Sequence, residues 1–327
     1  MTTSSVLPAA IEQISERVGL AVREGLASRP RRLPSWLFYD EAGSRLFEQI
    51  TELPEYYLTR VERGILATHA QDMITQAAEG QRLRIAELGA GSAEKTRLLL
   101  RAAVQRQVTL VYEPVDVSLS ALAEAQERIE REIPGVHVAL QLADYTHGLA
   151  LEPTIAGERR LVLYIGSSIG NFEPRAAERL LAGVRAGLQP GDGLLLGVDL
   201  VKSEKTLLAA YDDAAGVTAA FNRNLLVRLN RELGADFDSQ AFAHQAIWNA
   251  DESRMEMHLV SRTAQRVRIS ALDCDVTFKA GEGIHTENSY KYRPGQAEDL
   301  LANAGFTPVS KWTDARGWFA VHLGRVA

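Results

Sequence analysis

From residue 83 onward, short apolar runs alternate with amphipathic stretches, which is typical of a parallel β-sheet wrapped by helices. The apolar runs predict strands at 83–88, 108–115, 136–142, 160–165 and 194–199. The amphipathic runs predict helices at 93–106, 119–133 and 174–187. The last of these helices begins with Pro174, whose missing N–H has no cost in a first helical turn.

The first predicted strand passes through two glycines into a predicted helix, which is the layout of a nucleotide-binding turn. Gly89 permits a sharp turn, and Gly91 permits close approach of a ligand to the backbone. The helix predicted from Ala93 would present its N–H groups to the same space. A dinucleotide fingerprint has a third glycine where Glu94 stands, and a carboxylate there would repel a pyrophosphate. With Glu87 at the strand end, the motif favours the cationic S-adenosylmethionine; a dinucleotide site and a purely structural turn remain alternatives.

The C-terminal part of the chain resumes the alternation and then forms a hairpin. A predicted helix at 294–304 leads into two predicted strands, 307–313 and 318–323. The turn 314–317 is so short that these strands must be antiparallel. Five parallel strands closed by such a hairpin are common in S-adenosylmethionine-dependent methyltransferases, whereas a dinucleotide-binding domain usually ends on a parallel sixth strand.

Two segments stand outside this alternation and are predicted to pack together. We assign 61–200 and 287–327 to a cofactor-binding domain, and 1–60 and 201–286 to a substrate-binding domain. An insertion at the carboxyl end of a parallel sheet lies over the ligand crevice. Within these segments the pattern predicts helices at 9–27 and 215–234 and strands at 254–261, 266–269 and 274–278.

The composition is that of an ordinary soluble globular protein. A chain of 327 residues can bury a full core, and its net charge of −6 argues against a nucleic-acid surface. We find no signal peptide and no run approaching the roughly 18 apolar residues of a membrane helix. The single cysteine, Cys274, cannot form an internal disulfide. We therefore expect a cytoplasmic monomer acting on small molecules, without nucleic-acid or membrane partners. The seven histidines show no ligand spacing, so no metal is expected.

Polar residues follow the second, third and fourth predicted strands. Asp116 is placed to accept both ribose hydroxyls, although a helix cap is the alternative role. Asp144 and Tyr145 follow the third strand, where a carboxylate can reach the adenine amino group and a ring can cover its face. Lys95 is either near the cofactor carboxylate or simply solvated. After the fourth strand, Asn171 offers a donor and an acceptor to a small substrate, or serves as a turn residue.

Two further motifs carry candidate substrate-binding groups. The stretch 211–224 is explained mostly by a solvated, capped helix, although Tyr211 can supply a hydroxyl to a bound carboxylate. If 287–292 is extended, Glu287 and Ser289 point to one side of the strand. A carboxylate and a hydroxyl together can satisfy the two ring nitrogens of an imidazole. On the sequence alone, a solvent-facing edge strand is the preferred interpretation of this stretch.

Taken together, these motifs make the chain resemble the S-adenosylmethionine-dependent histidine Nα-methyltransferases of ergothioneine biosynthesis, which form trimethylated histidine (hercynine). The resemblance runs from about residue 33 to the C-terminal strands. It rests on the segments 36–40, 53–57, 87–96, 166–171, 199–202, 211–224 and 286–289. The long segment beginning at Tyr211 is the most specific of them.

The resemblance implies a Rossmann-like class I methyltransferase α/β fold, with five parallel strands plus a C-terminal antiparallel hairpin, and an inserted α+β substrate-binding domain. It implies cofactor contacts by Gly89, Lys95, Asp116, Asp144 and Tyr145. It implies histidine binding by Tyr56, Gly166, Asn171, Tyr211, Met257, Glu287 and Ser289, with Phe47 lining the pocket. Tyr39 would lie near the reacting amine, so Tyr39 and Asn171 are the candidate catalytic residues.

Two positions depart from the family pattern. Asn288 and Tyr290 stand where smaller or more apolar residues are usual, and strand alternation directs both away from Glu287. One alternative function is Nα-methylation of another aromatic amino acid such as tryptophan, whose indole would make poor use of Glu287. Another alternative is a protein that binds S-adenosylmethionine without turnover.

Overall fold

The computed structural model describes residues 6–91, 93–149 and 151–327, so Ser92 of the glycine motif lies outside the described residues. The α-helices are α1 Val6–Ala27, α2 Glu41–Glu52, α3 Tyr57–Ala78, α4 Arg97–Val104, α5 Leu119–Glu132, α6 Pro174–Ala186, α7 Glu204–Tyr211, α8 Val217–Leu233 and α9 Gln296–Asn303. None of the helices in these ranges has the length and apolarity that a membrane span requires.

The strands alternate with these helices along much of the chain. They are β1 Arg31–Arg32, β2 Arg82–Leu88, β3 Leu110–Asp116, β4 Val136–Val138, β5 Gln141–Leu142, β6 Glu158–Tyr164, β7 Gly193–Asp199, β8 Phe242–Asn249, β9 Arg254–Ser261, β10 Gln265–Ile269, β11 Cys274–Phe278, β12 Gly283–Tyr290, β13 Phe306–Thr313 and β14 Phe319–Val326.

The chain divides into two compact units. The sheet unit comprises Tyr57–Lys202 and Tyr290–Ala327. The insertion unit comprises the described residues up to Tyr56 together with Ser203–Ser289. The sequence analysis placed Glu287 and Ser289 with the cofactor-binding domain, whereas the structure places both in the insertion unit.

The sheet unit contains an eight-stranded sheet in the order β13-β14-β7-β6-β2-β3-β4, with β5 also paired to β3. The strands β7, β6, β2, β3 and β4 run parallel. β14 runs antiparallel to both β7 and β13. The predicted five parallel strands closed by a hairpin are therefore confirmed, except that the predicted strand 136–142 is split into β4 and β5.

Both faces of this sheet are buried. Along β6, Leu161 and Leu163 belong to one hydrophobic cluster, while Val162 and Tyr164 belong to another. Successive side chains of a strand point to opposite faces, so this division shows an apolar layer on each side. Such a sheet has room for polar side chains mainly where its strands end.

The insertion unit has a four-stranded sheet in the order β1-β12-β9-β8, and β10 pairs with β11. β8 and β9 are antiparallel, whereas β1 and β12 are parallel. β12 carries Glu287 and Ser289 and lies between β1 and β9. β1 pairs only with residues 284 and 285, but none of residues 287–292 is exposed, so the expectation that this stretch faces solvent is wrong.

The glycine turn after β2 differs from its prediction at one point. Ala93 has a positive φ of 52°, so it cannot open a right-handed helix. α4 instead begins at Arg97. Residues 93–96 therefore precede α4 instead of forming its first turn, so Lys95 lies outside the first helical turn.

Glu87 is a buried carboxyl near the end of β2. Its Oε1 accepts a hydrogen bond from the Thr96 hydroxyl at 2.7 Å, and its Oε2 accepts one from the Tyr112 hydroxyl. Burial outweighs these hydrogen bonds and raises the pKa of Glu87 from 4.5 to about 7. Glu87 therefore serves the structure of the turn by joining it to β3.

This pKa predicts a pH-dependent loss of stability that a Glu87→Gln variant should lack. Between pH 4.5 and about 7 the folded protein holds a proton that the unfolded chain has released. The free energy of unfolding should therefore fall by about 3 kcal/mol as pH rises through this range. Urea unfolding at several pH values should show a shallower fall for Glu87→Gln. Glu127→Gln, at a side chain that is 81% exposed, is the control; equal slopes for wild type and Glu87→Gln would contradict the assignment.

Candidate active site

Asp116 ends β3 with both carboxylate oxygens held by backbone amides. The Gly91 N–H donates to Oδ2 at 3.0 Å, and the Ser118 N–H donates to Oδ1 at 2.9 Å. Burial raises the pKa of Asp116, and these hydrogen bonds oppose that shift. The carboxylate thus has a fixed orientation beside the glycine turn, as binding of a ribose diol requires.

Tyr145 lies against the first glycine of the turn. A Cβ atom on Gly89 would stand 3.5 Å from the Tyr145 hydroxyl oxygen, and Gly89 has a φ of 66°. The Tyr145 ring packs edge-on against Tyr164, with 5.6 Å between ring centroids. Burial raises the pKa of Tyr145 to about 12, so its hydroxyl stays protonated. The structure thus brings a protonated hydroxyl and an aromatic ring to the glycine turn.

Asp144 has a local structural role. Its Oδ1 accepts a hydrogen bond from the Thr146 N–H at 2.8 Å and another from the Thr146 hydroxyl at 2.5 Å. These bonds cap the short 3₁₀ turn Tyr145–His147. Asp144 therefore orients the segment that carries Tyr145.

Lys95 forms an ion pair with Glu62, a fully buried residue of α3. The other Glu62 oxygen, Oε1, accepts the Gly166 N–H at 2.7 Å. A Cβ atom on Gly166 would lie 3.2 Å from the Lys95 Nζ. The prediction of a solvated lysine in a helical turn is therefore wrong, because Lys95 joins the loops after β2 and β6. Sequence reasoning missed Glu62 because it belongs to no motif.

The loop after β6 is tightly constrained. Gly166 and Ser167 both have left-handed backbone conformations, with φ values of 84° and 61°. Such a conformation strains a residue with a side chain. The buried Ser167 hydroxyl accepts the Asp199 N–H at 2.9 Å, which ties the loop to β7. The 3₁₀ turn Ser168–Asn171 follows and sets the position of Asn171.

Tyr290 packs against this same loop. A Cβ atom on Gly170 would lie 2.8 Å from the Tyr290 carbonyl oxygen, so the loop needs glycine at that point. The Tyr290 hydroxyl donates to Glu173 Oε2 at 2.6 Å. The departure from the family pattern at position 290 is accommodated by this hydrogen bond.

A buried charged cluster lies at the end of β7. The Tyr57 hydroxyl donates to Asp199 Oδ2 at 2.6 Å, and Lys202 and Lys291 pair with Asp199 at 2.5 and 2.9 Å. Burial lowers the pKa of Lys202 to about 8. The segment 199–202 is part of the family resemblance, but its sequence alone gave this cluster no role; the structure shows that the cluster anchors the end of β7 to α3.

Within the insertion unit, Tyr211 and Ser289 form a buried pair of hydroxyls. Tyr211 is the last residue of α7, and its hydroxyl donates to Ser289 Oγ at 2.7 Å. Ser289 therefore accepts from Tyr211 and can use its own proton as a donor. Glu287 is half-buried and lies two residues earlier on β12, while Met257 is buried on the neighbouring β9.

Aromatic rings form another cluster in this unit, which also includes Phe38, with its ring centroid 4.6 Å from that of Phe221. Phe47 stands at its centre, with ring centroids 5.6 Å from Tyr39, 6.2 Å from Tyr56 and 5.9 Å from Phe221. The structure thus brings together three residues named by the sequence analysis, Tyr39, Phe47 and Tyr56. Phe221 was missed as a member of the cluster, although it lies within the segment 211–224.

The polar residues of 211–224 are largely structural. Asp213 accepts the N–H groups of Val217 and Thr218 at 2.9 and 2.7 Å and so caps the start of α8. Asn222 is fully buried and Asn224 is 8% exposed, so the expectation of a solvated helix face is wrong. Asn224 donates to Asp40 Oδ1 at 2.8 Å, next to the cap that Asp40 provides for α2.

Glu256, His258 and His285 come together although their spacing gave no metal signal. Their potential ligand atoms lie within 4.8 Å of one another. The two imidazoles stack with 4.6 Å between ring centroids and 21° between planes, and His285 Nε2 lies 2.9 Å from the Glu287 carbonyl oxygen. Although burial alone would raise it, hydrogen bonds from Asn249, Arg254 and His258 lower the pKa of Glu256 to about 2. The expectation that no metal is needed stays a prediction.

Each unit therefore carries its own set of binding groups. The sheet unit offers the glycine turn, the carboxylate of Asp116 and the ring of Tyr145. These groups suit a nucleoside that bears no phosphate. The insertion unit offers the hydroxyls of Tyr211 and Ser289 and an aromatic cluster, which suit a small polar molecule with a planar part.

Comparison with known proteins places this arrangement in a family. A model of the family described as "Histidine-specific methyltransferase, SAM-dependent" matches residues 18–326. A histidine N-alpha-methyltransferase of Mycolicibacterium smegmatis is 46% identical over 323 residues, which cover 99% of each chain. One from Mycobacterium tuberculosis is 45% identical over 92% of each chain. An ergothioneine biosynthesis protein 1 of Neurospora crassa is 32% identical over 87% of this chain and 32% of that longer protein.

These matches confirm the family predicted from the sequence, and the strand order of the sheet unit confirms the fold class. The family match extends through the insertion unit as well as the sheet unit. Because the match is nearly full-length and identity to the bacterial relatives reaches 46%, the chain belongs to the family of histidine-specific, S-adenosylmethionine-dependent methyltransferases.

Proposed function

We propose that this protein methylates the α-amino group of L-histidine three times, using S-adenosylmethionine, to form Nα,Nα,Nα-trimethylhistidine in ergothioneine biosynthesis. The observation that carries this proposal is the arrangement on β12, where Glu287 precedes by two residues the Ser289 hydroxyl that accepts from Tyr211. A neutral imidazole presents one N–H and one acceptor nitrogen. Glu287 accepts from the N–H, and Ser289 donates to the other nitrogen.

The cofactor is assigned to the sheet unit. Asp116 binds the ribose hydroxyls, because amide hydrogen bonds from Gly91 and Ser118 fix its carboxylate. Gly89 lets the backbone approach the ligand, and Tyr145 covers the adenine. Asp144 and Lys95 also belong to the proposed cofactor site. Asp144 holds the segment that carries Tyr145, and Lys95 lies beside Gly166.

The reaction is an in-line displacement in which the neutral α-amine attacks the sulfonium methyl group and S-adenosylhomocysteine leaves. Positioning supplies most of the rate enhancement. Asn171 and Gly166 fix the amine and carboxylate, because the constrained loop after β6 holds both residues. Tyr56 and Tyr211 contribute hydroxyls, Tyr39 lies near the amine, and Met257 lines the imidazole side. Each cycle requires loss of one amine proton before attack.

Two alternatives are less well supported. Tryptophan has a ring N–H for Glu287 but no acceptor ring nitrogen, so its indole would leave the Ser289 hydroxyl without the acceptor that an imidazole provides. A binding protein without turnover would have no use for acceptor-side polar groups such as Ser289 and Asn171. We also propose that the enzyme is a cytoplasmic monomer that needs no metal.

Product analysis tests the proposal directly. Purified protein is incubated with S-adenosylmethionine and single amino acids in a buffer containing EDTA, and product masses are followed. We expect histidine, and not tryptophan, to gain one, two and then three methyl groups. Methylation of tryptophan would overturn the assignment of histidine as the substrate. Binding of S-adenosylmethionine without any product would favour the alternative of a binding protein without turnover. A rate that EDTA abolishes and zinc restores would overturn the expectation of a metal-free enzyme.

Two variants should separate the substrate side from the cofactor side. Glu287→Ala removes a charged hydrogen-bond partner and should raise the KM for histidine roughly 10- to 100-fold, with little change in the KM for S-adenosylmethionine. Asp116→Asn should instead raise the KM for S-adenosylmethionine, with little change in the KM for histidine. Initial rates with each substrate varied in turn measure both effects. An unchanged histidine KM in Glu287→Ala would remove the imidazole role from that residue.

A further inference from the structure

A buried polar network beneath Tyr211 is not explained by the roles assigned so far. His244 on β8 has its Nε2 2.8 Å from the Tyr211 carbonyl oxygen and its Nδ1 2.9 Å from the Asn222 side-chain nitrogen. That same nitrogen donates to the His258 carbonyl at 3.1 Å. The Thr286 hydroxyl lies 2.8 Å from Asn222 Oδ1. Asn222 and Thr286 are both fully buried.

The network permits only one arrangement of protons. The His258 carbonyl can only accept, so the Asn222 amide must turn its NH₂ group toward it. The same NH₂ group also faces His244 Nδ1, which must therefore be an acceptor. The His244 proton is then on Nε2, where it donates to the Tyr211 carbonyl. An imidazolium would set two donors against each other, in agreement with the lowering of the His244 pKa by burial.

The Tyr211 carbonyl is a group that needs such a donor. Tyr211 is the last residue of α7, and the final carbonyls of a helix have no partner within the helix. His244 supplies that partner from β8 and so fixes the residue whose hydroxyl donates to Ser289. Thr286 lies three residues before Ser289 on β12, so the network reaches the same strand from the other side.

We propose that His244 is a positioning residue for the methyl acceptor, which it serves by holding Tyr211 through its Nε2–H so that the Tyr211 hydroxyl stays on Ser289. This inference rests on the proposed role of Tyr211 and Ser289 in binding histidine. His244 does not itself need to touch the substrate. Its removal should weaken histidine binding and leave cofactor binding unchanged.

Two substitutions of His244 separate its two hydrogen bonds. The amide of His244→Gln reaches the place of Nε2 and retains the bond to the Tyr211 carbonyl. The amide of His244→Asn occupies the place of Nδ1 and retains only the bond to Asn222. Calorimetry with L-histidine in the presence of S-adenosylhomocysteine should show about tenfold weaker binding for His244→Asn and no more than about a twofold change for His244→Gln. The affinity for S-adenosylhomocysteine should be the same in both.

Two further variants complete the design. His137→Asn, at an exposed histidine of β4, controls for the loss of an imidazole as such. Tyr211→Phe tests the role on which the inference rests. If Tyr211→Phe weakens histidine binding and His244→Asn does not, the inference fails and the proposed function stands. If Tyr211→Phe binds histidine normally, the inference about His244 fails, and so does the proposed role of Tyr211 in histidine binding. Equal losses in His244→Asn and His244→Gln would show a merely structural role and overturn the inference.

A measurement on the unmodified sequence guards against variants that fail to fold. Nitrogen-15 spectra of histidine-labelled protein without substrate report which ring nitrogen carries the proton, and the His244→Gln spectrum identifies the signal. At a pH well above the ordinary histidine pKa of about 6.5, we expect a neutral His244 with its proton on Nε2. A proton on Nδ1 would overturn the inference without any binding measurement.

Discussion

The burial of the parallel sheet on both faces is the constraint on which the rest of the sheet unit depends. With an apolar layer on each side of β6, polar side chains are accommodated where the strands end. Asp116 ends β3 and Asp199 ends β7, and each is held by several donors. These hydrogen bonds and ion pairs fix both carboxylates at the strand ends, and Asp116 lies beside the glycine turn proposed to bind the cofactor.

The insertion unit differs from the sheet unit because some of its polar side chains are buried inside the fold. Asn222 and Thr286 are fully buried, and each is satisfied by partners on neighbouring elements. An unsatisfied amide in such a place would cost about 1–3 kcal/mol, so the network also specifies how the helices and strands pair. The packing of these elements thereby also fixes the positions of Tyr211 and Ser289, which we propose to bind the substrate.

Much of the sheet unit could be predicted from the sequence, because buried parallel strands read as uninterrupted apolar runs and a short turn enforces a hairpin. The structure of the insertion unit was harder to predict from the sequence. β8, with the sequence Phe-Ala-His-Gln-Ala-Ile-Trp-Asn, is half-exposed along most of its length and lacks a clear apolar run. The family resemblance named the site residues, but residues outside its named site positions, such as Glu62 and His244, gave no local signal. Each of them contacts a partner that is distant along the chain: Glu62 contacts Gly166, 104 residues away, and His244 contacts Tyr211, 33 residues away.

The contact between Gly170 and Tyr290 has a consequence for how such sequences can diverge. The atoms that crowd Gly170 belong to the backbone of Tyr290, and a backbone is present whatever side chain position 290 carries. Gly170 is therefore constrained by the backbone of Tyr290, while the Tyr290 side chain is constrained separately, by burial and by its hydrogen bond to Glu173. Substitution can accumulate at the second position without disturbing the first, so a tyrosine can replace a smaller residue there while the loop keeps its shape.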